Sequence, residues 1–355
     1  MNILDDPKAI KNLDQSNMLA SIDLLPKQIE QAWAEVKQVD IPADYKKVKK
    51  VVVNGMGGSC LGAHIIQSIY FKKLKMPLGN IHSYDLPGIV DKDTLYVLSS
   101  YSGNTEEVLN TYEQAKRKGA KILAIASGGE LGALIKAGKI PGYLFKPKYN
   151  ICNQPRMGIG YAITGLLGLF EKCAVIKVSD REIKAVIQFL DKLKLQFEAK
   201  NLTLDNLAKQ TADHVQNYAP LIVAAEFLSG NAHVLANQLN ENSKNFSHYF
   251  IISELNHHLL EGLSCPENNP KNLFFCFFES QLYHPRNAER LKITKDILRK
   301  NKINYLSYKL QGRTEFMQSF EMLLFGSYVS FYLAMLNNVD PAPIPWVDYF
   351  KTQLA

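Results

Sequence analysis

Two short stretches hold the residues best suited to grip an anion: Asn54-Gly55-Met56-Gly57-Gly58-Ser59 and Ser100-Tyr101-Ser102-Gly103-Asn104-Thr105. In the first, glycines let backbone N–H groups come close to a ligand, and a helix starting there aims its positive end at it. It is not a dinucleotide fingerprint. Gly-x-Gly-x-x-Gly requires glycine where Cys60 stands, and the acidic residue due about 20 positions later is replaced by Ile69-Tyr70-Phe71-Lys72-Lys73. No Gly-Lys-Ser/Thr follows either, which excludes a Walker loop. Taken alone, this loop reads equally well as a tight turn that binds nothing. The second loop says more. Ser100, Ser102 and Thr105 offer three hydroxyls within six residues, and Gly103-Asn104 permits a sharp turn. Hydroxyls beside helix N–H groups make a cradle for a phosphate dianion. A plain helix cap by Asn104 or Thr105 needs only one such side chain, so the phosphate reading is preferred.

Such loops work when a strand ends and a helix begins on either side of them. Lys50–Asn54 reads as a short buried strand, with a helical pattern of Leu61, Ile65, Ile66 and Ile69 after it. Thr94–Ser99 is the next strand, Glu106–Lys118 a helix stopped by Gly119, and Lys121–Ile125 a third strand. The second half replays the plan: strands at Pro220–Ala225, Leu273–Phe278 and Ile303–Ser307, a short apolar stretch at Tyr249–Ile252, and helices from Ala232 and over Ala288–Lys300. Apolar helices at 158–172 and 316–336 close the two halves in the same relative place. Strands alternating with helices imply an α/β fold of two tandem domains, each a mainly parallel sheet flanked by helices in an α-β-α sandwich. The divisions fall at an N-terminal helical segment 1–45, a first domain 46–175, a helical linker 176–213 and a second domain 214–355. Within the first segment, residues 16–37 form an amphipathic helix (Met18, Ile22, Leu25, Ile29, Trp33) that Pro26 kinks or divides.

Composition narrows the function. A length of 355 residues suits about two domains. The +7 formal charge is scattered, and runs such as Lys46-Lys47-Val48-Lys49-Lys50 are short, so no stripe for nucleic acid emerges. A mild positive field also suits an anionic small molecule. The apolar stretches Gly158–Phe170 and Met322–Leu336 fall short of the ~20 residues of a membrane span. Met1-Asn2-Ile3-Leu4-Asp5-Asp6 does not read as a secretory signal. Five widely spaced cysteines without Cys-x-x-Cys argue against a disulfide framework or a zinc site and for a reducing cytoplasm. Cys60, next to the first loop, reads as a small structural residue.

At these two loops the sequence resembles the signature of SIS (sugar isomerase) domains, and in particular the bifunctional phosphoglucose/phosphomannose isomerases. The resemblance continues in order through Pro155-Arg156, Asn240-Glu241-Asn242-Ser243-Lys244, Glu254-Leu255-Asn256-His257, Asn338-Val339-Asp340-Pro341 and Lys351. It implies an aldose–ketose isomerase for glucose 6-phosphate and fructose 6-phosphate, with mannose 6-phosphate as a second substrate, and neither cofactor nor metal. By position, Ser59, Ser100, Ser102 and Thr105 would bind phosphate, with the backbone of Gly57 and Gly58. Glu241 would be the base, against the alternative of a solvated residue pairing with Lys244. His257 would open the sugar ring, reaching the site from the partner of a homodimer; His258 stands where the family usually has Asn. Arg156 would steady the enediolate, and Lys351 would lie near the sugar. The apolar run Asp340-Pro341-Ala342-Pro343-Ile344 departs from the threonine often found there. A sugar-phosphate sensor without turnover would need the grip but neither Glu241 nor His257.

Overall fold

The computed structural model describes residues 3–354. The runs of valine, isoleucine and aromatic residues become strands, as their fit to a pleated, half-buried surface dictates. In the first half these are β1 (Lys50–Gly55), β2 (Leu78–Ile81), β3 (Thr94–Ser99), β4 (Lys121–Ala126) and β5 (Gly142–Leu144), in the order β2-β1-β3-β4-β5. The second half adds β6 (Ala219–Ala225), β7 (His248–Ile252), β8 (Leu273–Glu279) and β9 (Asn304–Lys309), in the order β7-β6-β8-β9. Every neighbouring pair is parallel. The second sheet repeats the first four positions of the other, which gives two tandem domains of one design. β1, β3 and β4 are buried almost throughout, as expected when helices cover both faces of a parallel sheet. β2 and β5 are additions to the strands read from sequence. Both are short edge strands broken by Gly79-Asn80 and Gly142, too brief to stand out from turn signals.

In each sheet the order reverses beside the first strand, between β1 and β3 and between β6 and β8. Ligand crevices of open α/β sheets form at such points. The two anion loops leave β1 and β3 there.

The helix expected over 16–37 is two helices, Met18–Asp23 and Leu25–Val36. Pro26 occupies the second position of the latter, where a missing N–H leaves no helical bond unmade. Met18, Ile22, Leu25 and Ile29 are buried, and the Trp33 indole donates to Asp180 at 2.9 Å. Gly119 ends the helix Glu106–Arg117 with φ of +70°.

The closing helix of the second half is longer than its apolar run, spanning Glu315–Leu336. At 22 residues it has the length and composition to cross a membrane, but 94% of its apolar window is buried within the protein. It packs on the helices Leu207–Val215, Ser229–Asn242 and Asp180–Leu193. Asp180–Leu193 starts in a capping box of Ser179 with Glu182 and also packs on Leu25–Val36. The region between the sheets is therefore part of the core. Within it, fully buried Lys209 donates to the carbonyls of Leu4, Ala199 and Asn201, tying the N-terminal turn Ile3–Asp5 to the second half. The halves also meet where Gly58–Ile69 crosses Ser229–Asn242. A Cβ on Gly230 would lie 2.5 Å from the His64 carbonyl oxygen, so glycine sets that approach.

Candidate active site

The two loops are stitched together by their own hydroxyls. Ser59 Oγ accepts from the Tyr101 N–H at 2.8 Å, and Ser99 Oγ donates to the Ser59 carbonyl at 2.6 Å. Ser100 is buried; its Oγ lies 2.6 Å from Thr105 Oγ1 and accepts from the Gly103 N–H at 3.0 Å. Exposed Ser102 accepts from the Asn104 N–H and stands 3.4 Å from Ser100 Oγ. Gly103, at φ +76°, is pressed so close to Gly128 that a Cβ would sit 1.9 Å from its carbonyl oxygen. No other residue fits that turn.

Thr105 occupies the N-cap position of Glu106–Arg117, yet its side chain makes no capping bond because the hydroxyl is turned to Ser100. The helix Gly58–Ile69, entered through Gly57 at φ +48°, has no side-chain cap either. The Ser59 and Cys60 N–H groups bond back to Met56 and Gly57. Two helix starts thus point at the same crevice with first-turn donors uncapped by side chains, beside three serine hydroxyls and a threonine. That suits a dianion better than the simple cap it was weighed against.

Arg156 joins this crevice to the second half. Its backbone abuts the first loop: a Cβ on Gly58 would lie 3.1 Å from Arg156 N. Its guanidinium is buried and uses all five N–H groups. Nε donates to Asn242 Oδ1 at 2.5 Å, Nη1 to Gln154 Oε1 at 3.0 Å and to Glu241 Oε2 at 3.4 Å, and Nη2 to the carbonyls of Pro341 and Ala342 at 2.9 and 2.8 Å. Glu241 sits at the end of the helix Ser229–Asn242 with its side chain 30% exposed. Burial raises its carboxyl pKa above the ordinary value, while Arg156, Lys244 and Lys351 pull it back down. Lys351, exposed on the helix Pro345–Leu354, is therefore near enough for its charge to act on Glu241.

The ion pair of Glu241 with Lys244 is not made. Lys244 Nζ instead donates to the carbonyls of Glu241 at 2.7 Å, Asn242 at 3.3 Å and Pro341 at 3.0 Å, closing the helix C-terminus. Burial and the Arg156 charge push its ammonium down to about 8. His257 stands apart. It is exposed on the short helix Leu255–His258 after β7, and its ring makes no hydrogen bond or ion pair among the described residues. Arg156 thus links the loops holding Ser59, Ser100, Ser102 and Thr105 to Glu241, with Lys351 within electrostatic reach, while His257 makes no hydrogen bond or ion pair with any of them among the described residues.

Sequence reading missed Asn242, Gln154 and the 341–342 carbonyls, which fix the arginine. The one signal in the sequence was an amide beside a candidate acid; that Asn242 is fully buried shows only in the structure. It also missed a difference between the two halves. Where the loops after β6 and β8 face each other, Glu226 Oε1 accepts from the His284 N–H at 2.6 Å and from Asn287 at 2.9 Å. The second half thus places a carboxylate at the corresponding loops.

Two SIS-type halves, one with hydroxyl-lined helix starts joined through Arg156 to a desolvated carboxylate, fit a protein of the sugar-phosphate isomerase class. The "Bacterial phospho-glucose isomerase C-terminal SIS domain" family matches residues 204–354. Over 351 residues the chain is 34% identical to the bifunctional phosphoglucose/phosphomannose isomerase of Caldicellulosiruptor bescii, covering 95% of this chain and 99% of that one. The Aquifex aeolicus protein of the same name is 28% identical over 92% of this chain and 97% of its own. A solved structure from Thermus thermophilus shares the fold with a TM-score of 0.71 at 15% identity, over 98% of this chain and 93% of that one. The chain belongs to the bifunctional phosphoglucose/phosphomannose isomerase family.

Proposed function

We propose that this chain interconverts glucose 6-phosphate and fructose 6-phosphate, and mannose 6-phosphate with fructose 6-phosphate, by moving one proton between C1 and C2 through a cis-enediol. The observation that carries the reading is the desolvated Glu241 carboxylate, joined through Arg156 to the hydroxyl-lined helix starts. Phosphate at Ser59, Ser100, Ser102 and Thr105, with the Gly57 and Gly58 backbone, would fix the far end of the sugar. Glu241 takes the proton from one carbon and returns it to the other, so the carboxylate is regenerated. The negative charge that builds on the enediolate oxygens is offset by Arg156 and Lys351. The second substrate is supported by the name of the relatives, bifunctional phosphoglucose/phosphomannose isomerase.

Ring opening needs a second proton carrier, and His257 has the chemistry for it. Its exposure away from Glu241 supports delivery from the other subunit of a homodimer. Mixing inactive Glu241→Gln and His257→Gln chains should then restore about a quarter of wild-type activity, because half the dimers are mixed and each holds one complete site. Mixtures that stay inactive after subunit exchange would place His257 outside the partner's site. Five free cysteines accord with a reducing, cytoplasmic location.

The direct test is a coupled assay of the purified chain at pH 7–8 with EDTA, following glucose 6-phosphate from fructose 6-phosphate and from mannose 6-phosphate. Turnover with both is expected. No turnover, with sugar phosphate still bound, would make it a sensor.

A further inference from the structure

Behind the first loop lies a second cluster that the isomerase chemistry does not use. Cys60 and His64, four apart on the helix Gly58–Ile69, share one face, and His82 follows β2 beside them. Their ligand atoms all lie within 4.8 Å of one another. A tetrahedral ion with bonds of about 2.0–2.3 Å brings donors to roughly 3.3–3.8 Å, so a small side-chain rotation closes the set. The groups are also prepared for ligation. His82 Nδ1 lies 2.6 Å from the Gly55 carbonyl, which fixes the proton there and leaves Nε2 with its lone pair. His64 Nε2 is buried with no hydrogen-bond partner, and so is Nδ1 of His233, whose ring stands 4.8 Å from that of His64 at 74°. Buried ring nitrogens without partners are uncommon and call for an explanation. A cavity of about 620 Å³ reaches His64 and His233, with Lys72, Glu226, Tyr249 and Asn287 on its other walls.

We propose that Cys60, His64 and His82 form a binding site for a borderline-soft divalent ion of the Zn²⁺ class, with His233 next to the set and a fourth position open to water. A thiolate with two imidazoles is a donor set that favours such ions over magnesium or calcium. On coordination the Cys60 thiol gives up its proton to solvent. The site is separate from proton transfer at Glu241, so metal binding and turnover in EDTA are independent outcomes. Sequence reading looked for Cys-x-x-Cys and passed over a Cys-x₃-His pair on a helix.

The test uses the full-length protein dialysed against EDTA and titrated with Co²⁺ alone. One equivalent should bind with a thiolate-to-cobalt charge-transfer band that Zn²⁺ then abolishes. Cys60→Ser should remove the band. His82→Gln, at an exposed ring, should weaken Co²⁺ binding about tenfold or more. Cys265→Ser, at the exposed cysteine, should change neither. No band at stoichiometric Co²⁺, or a band that survives Cys60→Ser or vanishes with Cys265→Ser, overturns the proposal. If Cys60→Ser does not fold, unchanged Co²⁺ affinity in His82→Gln overturns it alone.

Discussion

Glu241→Gln is expected to lower kcat by about 10³-fold while sugar-phosphate affinity stays within about threefold. Glutamine keeps the shape and the oxygen that faces Arg156 Nη1, 3.4 Å away in the native side chain. What it loses is basicity, which the chemical step needs and phosphate binding does not. The pH profile gives an independent reading. The base must be ionised, so kcat/KM rises as pH rises through the Glu241 pKa. Burial sets that pKa above the usual carboxylate value, so the acid limb should lie above that of an exposed glutamate and vanish in the variant. The same shift has a stability consequence. A carboxyl with a raised folded pKa contributes stability below its unfolded pKa and loses it as pH rises through the folded one. Glu241→Gln should therefore cost little stability near pH 7 and narrow the difference between acid and neutral unfolding curves. Isothermal titration with fructose 6-phosphate beside the coupled assay checks both halves. A variant that turns over at near-native rate would remove Glu241 from the role of base.

The sequence displayed the scaffold better than the wiring. The central strands β1, β3, β4, β6 and β8 are dense in β-branched and aromatic residues and stood out by that alone. The edge strands β2 and β5 did not, since an edge strand needs few apolar residues and tolerates glycine. At the site, hydroxyl spacing was enough to mark the Ser100–Thr105 loop, because a helix cap has no use for so many. Glu241 was different. Its spacing from Lys244 favoured a helical ion pair, and nothing local shows that Lys244 turns back to the carbonyls at φ +55° while Arg156, 85 positions away, takes the carboxylate. Contacts of that range are set by how two domains meet. Glu226 too takes distant partners, 58 and 61 positions on within the second half. Resemblance located Glu241 and Arg156; it did not reveal that Arg156 is saturated with hydrogen bonds.

That saturation makes Arg156→Met the substitution with the widest reach. Methionine fills much of the space but removes every donor, leaving the Gln154 and Asn242 side-chain oxygens, the Pro341 and Ala342 carbonyls and the Glu241 carboxylate without their partner. Breaking a buried charge pair from one side costs about 3–5 kcal/mol, and denaturant unfolding should show a loss of that order. Activity should fall about 10²–10³-fold, the scale of losing one electrostatic stabiliser of a developing oxyanion. A purely structural arginine would give the first effect without moving the acid limb. Here the limb should shift to higher pH, since Arg156 is the largest influence holding the Glu241 pKa down. Arg156→Lys separates the roles. It keeps the charge, so the limb should stay near its native position, but three donors cannot replace a five-donor planar fork, so much of the stability loss should persist. Combining Arg156→Met with Glu241→Gln should cost less stability than the two single changes added together, because no carboxylate is then left unpaired. Strict additivity, with an acid limb unmoved in Arg156→Met, would mean that the arginine holds the 341–342 segment in place and has no electrostatic hold on the base.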